Sequence, residues 1–141
     1  MRALIDTCVI IDALQDRQPF CREAQNIFLC AANNLFTGCI TAKSCTDIYY
    51  LSHRNTHSDK TSREILTKLF ALFEVLDTAG MDCRRAIPSP IADFEDAVMA
   101  ETAARAEADC IITRNLEDFK KSSIPALSPA QFLERLEKEN G

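Results

Sequence analysis

The chain has 141 residues, 47% of them hydrophobic, which is the size of one ordinary domain with enough apolar side chains to bury a core unaided. Its formal net charge of −5 argues against a protein that holds nucleic acid by bulk positive charge. Cleavage of nucleic acid stays open, because a site that gathers divalent cations needs local negative charge and the bound ion reverses the field a phosphate meets.

The N-terminal apolar stretch is broken by Asp6 too early for a signal peptide, and no later run approaches bilayer length. A soluble, cytoplasmic protein with no membrane partner is expected. Its seven cysteines are odd in number and none form a Cys-x-x-Cys pair, so they read as small buried hydrophobes in a reducing compartment.

Arg2 to Asp6 is a short apolar run that ends in an acid, a buried first strand whose last residue emerges at its carboxyl edge. Cys21, Ala24, Ile27, Phe28 and Ala31 recur at helical spacing and predict a helix over Phe20 to Ala32, stopped by Asn33-Asn34. Leu35 to Ile40 reads as a second strand, after which Thr41 caps a helix to about Arg54. A polar break over His53 to Asp59 precedes a helix from Lys60 to Phe73, then a third strand candidate, Glu74 to Asp77. A short helix, Met81 to Ile87, meets the stop Pro88-Ser89-Pro90.

Asp93 to Ala108 is helical, with Ala97, Ala100 and Ala104 as a small-residue stripe that suits close approach to a sheet. Cys110 to Thr113 is a fourth strand, and Ile124 to Leu127 a short edge strand, because Pro125 removes a ladder donor. Ser128-Pro129 opens the last helix. Strands alternating with helices imply a three-layer α/β/α fold around a central, mostly parallel sheet of four to five strands, in a single domain over residues 1–141.

In such a sheet every strand ends at one edge, and the helix after it starts there. Asp6 closes the first strand, Asp47 lies two turns into the helix after the second, and Asp96 sits in the first turn of the helix before the fourth. Thr113, Arg114 and Asn115 follow the fourth strand, with Asp118 just beyond. Carboxylates gathered at one edge without interleaved cations repel one another, and a divalent ion removes the conflict. Oxygen ligands without histidine or cysteine favour Mg²⁺ or Mn²⁺ over zinc. Such a site suits phosphodiester hydrolysis by water attack.

Three segments resemble the PIN domain family. They are Leu4-Ile5-Asp6-Thr7-Cys8-Val9-Ile10-Ile11-Asp12, Asp93-Phe94-Glu95-Asp96-Ala97-Val98-Met99-Ala100 and Ile111-Ile112-Thr113-Arg114-Asn115-Leu116-Glu117-Asp118-Phe119. The resemblance covers essentially the whole chain. It implies an Mg²⁺- or Mn²⁺-dependent endoribonuclease with an RNA substrate, in many bacterial cases the VapC-type toxin of a toxin–antitoxin pair, with an antitoxin partner and a homodimer. Residue by residue it implies Asp6 as the first acid, Asp47 where many members have Glu, and Asp96 as the third. Asn115 stands where many members have Asp, so one ligand is neutral, with Asp118 or Asp93 available to supply charge. The catalytic set expected is thus Asp6, Asp47, Asp96 and Asn115, the metal set Asp6, Asp96 and Asp118, and the supporting set Thr7, Thr113 and Asp93.

Each residue has a plainer reading beside this one. Asp93 fits a helix N-cap, and Asp47, on a helix with Lys43 and Arg54, fits a solvated surface charge. Arg54, Lys60 and Arg63, with Arg114, form a candidate rim for a phosphate backbone, though such mixtures are commonly solvated faces. Tyr49 and Tyr50 are base-stacking candidates or core, and His53 with His57 has chelating spacing across a broken helix. The main alternative function is a catalytically degenerate PIN-like module that binds nucleic acid or a partner. A haloacid dehalogenase-type phosphohydrolase is a weaker alternative, since that type has Asp-x-Asp where this chain has Asp6-Thr7-Cys8.

Overall fold

The computed structural model describes residues 1–141. Five strands, β1 (Arg2–Ile5), β2 (Thr37–Thr41), β3 (Glu74–Leu76), β4 (Cys110–Ile112) and β5 (Ala126–Leu127), pair in the order β3-β2-β1-β4-β5. Every pairing is parallel, so the sheet is entirely rather than mostly parallel. Its central strands are near-continuous apolar runs because both faces are covered. Ala3, Leu4, Ile5, Cys39, Ile40, Cys110, Ile111 and Ile112 are all inaccessible to solvent.

Alternation along the strands divides the interior in two. Ala3, Ile5, Ile40, Cys110 and Ile112 point into a layer with α1 (Thr7–Leu14), α2 (Cys21–Ala32), α3 (Ala42–Thr56), α4 (Asp59–Leu72) and α7 (Pro129–Asn140). Leu4, Cys39, Leu76 and Ile111 point to the other layer, packed by α5 (Gly80–Ala86) and α6 (Phe94–Arg105). The three-layer expectation is therefore met, with both layers built from side chains whose parity sequence alone displays.

Differences in detail have local causes. The helix α1 starts immediately after Asp6, in a stretch to which the sequence analysis assigns no element. Val9, Ile10, Ile11, Asp12 and Ala13 are all buried, so α1 has no polar face and hence no visible period. The strand β2 begins at Thr37 rather than Leu35, since Leu35 and Phe36 form the turn into it. The helix α6 ends at Arg105, three residues short of Ala108, and its buried stripe is Ala97, Ala100 and Ala103, with Ala104 half-buried. Side chains of Thr41, Ser58, Asp93 and Ser128 each accept a hydrogen bond from the amide three residues on, capping α3, α4, α6 and α7.

Two buried acids lock elements together. Asp82 on α5 is 1% exposed and accepts from Arg105 Nε at 2.9 Å, Thr102 Oγ1 at 2.8 Å and the Ala79 amide at 2.9 Å. The guanidinium and these donors hold its carboxyl below the usual range although burial opposes them. Asp12 on α1 accepts from Arg114 Nε at 2.7 Å and Nη2 at 3.3 Å. Gly38 on β2 is required by space: a Cβ there would stand 2.6 Å from Phe73 Cδ1. No helix is long and apolar enough to cross a membrane.

Candidate metal centre at the sheet switch point

From β1 the chain builds toward β2 and β3 on one side and toward β4 and β5 on the other, so the strand order reverses between β1 and β4. The carboxyl ends flanking such a reversal leave a crevice. Asp6 leaves β1 at this point with extended backbone, φ −66° and ψ 146°, as the residue before α1. Thr113 leaves β4 beside it and donates from Oγ1 to Asp6 Oδ2 at 2.8 Å. The thiol of Cys8 donates to the same oxygen at 3.4 Å. Burial raises the Asp6 carboxyl above its ordinary pKa, and the Thr113, Cys8 and Thr7 donors pull it partly back. No arginine or lysine pairs with it.

The first turn of α6 brings the second acid. Asp93 Oδ1 accepts from the Asp96 amide at 3.0 Å, so Asp93 is the N-cap. Asp96 is half-buried and unpaired, and its carboxyl is pushed up to about 7 by burial first, then by the negative charges of Asp93, Asp6, Asp118 and Glu95. Asp6, Thr7, Asp47 and Asp96 line one cavity of about 540 Å³, together with Lys43 and Arg54 and with the exposed rings of Tyr50 and Phe94. Asp96 also borders a second hollow of about 380 Å³ with Asp93 and Asp118.

Several expected members sit differently. Lys43 stands among the acids, where the sequence argument placed no cation: its Nζ lies 2.8 Å from Asp47 Oδ2 and 2.9 Å from Glu95 Oε1. Asp47 is thus an ion-paired residue of the cavity wall. Asn115 is exposed outside both hollows; its amide nitrogen lies 3.9 Å from Cys8 Sγ and its backbone N–H donates to Thr113 Oγ1 at 3.0 Å. Arg114, expected on the phosphate rim, is held by Asp12 and lies over the Phe20 ring at 4.3 Å from its centroid. Of the remaining rim candidates only Arg54 lines the cavity; Lys60 and Arg63 belong to α4, where Arg63 pairs with Asp59 at 3.0 Å. His57 ends α3 in the left-handed region at φ 55°, and His53 stacks on Tyr49, which separates the suspected chelating pair.

No three histidine, cysteine, aspartate or glutamate side chains converge on one point as a preformed metal cage. Mg²⁺ keeps several waters and is commonly bound by one or two carboxylates plus substrate phosphates. Asp6 and Asp96 are the residues that could supply such an oxygen pair, since both line the cavity and the raised Asp96 carboxyl favours added positive charge.

Two residues here have partners that the sequence analysis did not assign. Lys43 lies four residues before Asp47, a helical pair that spacing reveals, but its second partner Glu95 is distant in sequence. Asp12, a lone acid within an otherwise apolar segment, is the signal that a buried partner such as Arg114 must exist.

Among solved structures, the fold is similar to a chain of VapBC2 from Rickettsia felis bound to a promoter DNA fragment, at 17% identity and TM-score 0.67, covering 91% of this chain and 98% of that one. A chain of VapBC-1 from nontypeable Haemophilus influenzae matches at 16% identity and TM-score 0.68, covering 92% and 99%. A toxin–antitoxin complex from Klebsiella pneumoniae matches at 22% identity and TM-score 0.65, covering 90% and 97%. At these identities the likeness concerns the fold. No curated protein matches the chain. A family model described as PIN domain matches residues 2–117, most of the chain and every acid placed above except Asp118, and the chain therefore belongs to the PIN domain family.

Proposed function

We propose that the chain is a Mg²⁺- or Mn²⁺-dependent endoribonuclease, the toxin of a toxin–antitoxin pair. PIN domain membership supports nuclease activity at family level, and the similar solved structures include toxin–antitoxin complexes, which supports an antitoxin as partner. The observation that carries the reading is the pair Asp6 and Asp96 at the sheet switch point, lining one cavity with no basic side chain fixed to either.

In this reading Asp6 and Asp96 hold the ion, Thr113 and Thr7 orient Asp6, and Asp93 fixes the first turn from which Asp96 projects. Asp118 adds charge on the far side of Asp96. When bound, the ion lowers the pKa of an attacking water and offsets charge developing on the phosphate. The water oxygen adds to phosphorus and the bond to O3′ breaks, giving a 5′-phosphate and a 3′-hydroxyl. Arg54 contacts the RNA backbone, and Tyr50 and Phe94, 67% and 50% exposed on the cavity wall, offer faces on which unpaired bases stack. A homodimer in a cytoplasmic setting completes the proposal.

The test is Asp6→Asn in the purified chain, assayed on single-stranded RNA with Mn²⁺ and checked for fold by circular dichroism. Cleavage is expected to be lost with the spectrum unchanged; wild-type rates in the variant refute the assignment. The neutral, exposed Asn115 favours one other reading, a degenerate binding module. Calorimetric titration with Mn²⁺ separates the two, because that module has no tight metal event dependent on Asp6.

A further inference from the structure

Lys43 and its partner Asp47 line the cavity, and the metal-nuclease reading leaves both without a task. The Lys43 ammonium lies across the cavity wall from α3 to α6, 2.8 Å from Asp47 Oδ2 and 2.9 Å from Glu95 Oε1. Its side chain is 42% exposed, and ion pairs this open contribute only about 0–1 kcal/mol to folding, so stability does not account for a lysine here. An acid already bound to an ammonium is also a poor place for a divalent ion, which would enter against the lysine's charge.

Asp47 is therefore occupied, Asn115 is neutral and lies outside both hollows, and of the acids that line this cavity only Asp6 and Asp96 are free of a cation, while Asp93 and Asp118 border the second hollow. A second ion bridging the reacting phosphate would need another anionic set, and no third carboxylate converges with these two. A lysine ammonium is a compact, strongly hydrated point charge suited to phosphate oxygens, and two carboxylates fix the position of this one.

We infer that Lys43, rather than a second metal ion, supplies the additional positive charge at the scissile phosphate, with one divalent ion on Asp6 and Asp96 and with Asp47 as the residue that positions Lys43. The inference rests on the nuclease reading and assigns Asp47 a different task from the metal-site acid expected from sequence. During hydrolysis Lys43 leaves Glu95, the more exposed of its partners at 71%, and contacts a non-bridging oxygen of the phosphate. It forms no covalent bond; the proton gained by the departing O3′ comes from solvent.

The experiment combines Mn²⁺ titration calorimetry with steady-state cleavage of a fluorogenic single-stranded RNA, using the wild-type chain, Lys43→Met, Lys43→Arg, Asp47→Asn and Asp6→Asn. One Mn²⁺ per chain is expected, lost in Asp6→Asn and retained at near wild-type affinity in Asp47→Asn and Lys43→Met. In Lys43→Met, kcat falls about 10²–10³-fold, the size typical of removing one preorganised charge-stabilising group, with little change in KM. Lys43→Arg restores at least about tenfold of that loss by returning the charge. A second Mn²⁺ that disappears in Asp47→Asn overturns the inference even if the chain cuts no RNA, and so does a kcat in Lys43→Met near that of wild type. Cleavage that survives Asp6→Asn instead overturns the assignment of the metal-nuclease site to Asp6, which makes the two failures distinguishable.

Discussion

Replacing Asp96 with asparagine should stabilise the metal-free protein, an unusual direction for altering a functional acid. The carboxyl lies at about 7 against an ordinary 3.8, because it is half-buried and faces Asp93, Asp6, Asp118 and Glu95. At about 1.4 kcal/mol per decade this sets a ceiling of about 4 kcal/mol. The side chain keeps contact with solvent, and screening reduces the gain to about 1–2 kcal/mol, or about 3–8 °C in Tm for a chain of this length. The folded-state pKa is above the unfolded one, so the folded protein binds the proton more tightly. The cost of ionisation is absent below the unfolded value, grows as pH rises from 3.8, and is complete above about 7.

Differential scanning calorimetry in EDTA should thus show Asp96→Asn melting above wild type at about pH 8, with a smaller gap at about pH 5. Adding Mn²⁺ should raise the wild-type Tm and leave the variant's nearly unchanged, because the ion relieves a repulsion the amide lacks. A variant no more stable than wild type in EDTA at about pH 8, or a gap that widens toward acid, would refute the account of the site as held-together negative charge.

Asp82→Asn should lower stability by about 2–4 kcal/mol in urea melts, because the Arg105 and Thr102 donors lose a charged acceptor. The Asp82 pKa is lowered by folding, so this contribution is present above 3.8 and lost as pH falls through the folded value. Thr113→Val should cost about 1–2 kcal/mol and, by removing a donor that favours ionised Asp6, weaken Mn²⁺ binding most strongly at mildly acidic pH in calorimetric titrations. Gly38→Ala forces a methyl against the buried Phe73 ring and should cost about 1–3 kcal/mol, read as a lower urea midpoint with unchanged slope.

The sheet and its caps were legible in the sequence because they rest on local chemistry. Thr41, Asp93 and Ser128-Pro129 announce their helices by residue type, and the proline at 125 marks an edge strand of two residues. The meeting of Asp6 with Asp96 was legible too, since both lie at strand or helix ends that parallel topology forces to one edge. What stayed hidden depends on tertiary partners. The helix α1 shows no period because neighbours bury Val9 to Ala13 without a break, and the engagement of Arg114 by Asp12 and Phe20 cannot be read from a run of charges. The link from Lys43 to Glu95 was not legible either, because the two lie 52 residues apart in sequence.

The alanine layer beneath α6 has a mechanical meaning. Ala97, Ala100 and Ala103, 1%, 5% and 0% exposed, pack with Leu4, Cys39 and Ile111 of the strands, so on this stripe the helix contributes only methyl groups to the layer that sets its height above the sheet. Widening that spacer by one larger side chain at Ala103, about two helical turns from Asp96, would lift Asp96 away from Asp6 and be felt as weaker cation binding. The depth of a hydrophobic layer here acts as the gauge for an electrostatic gap.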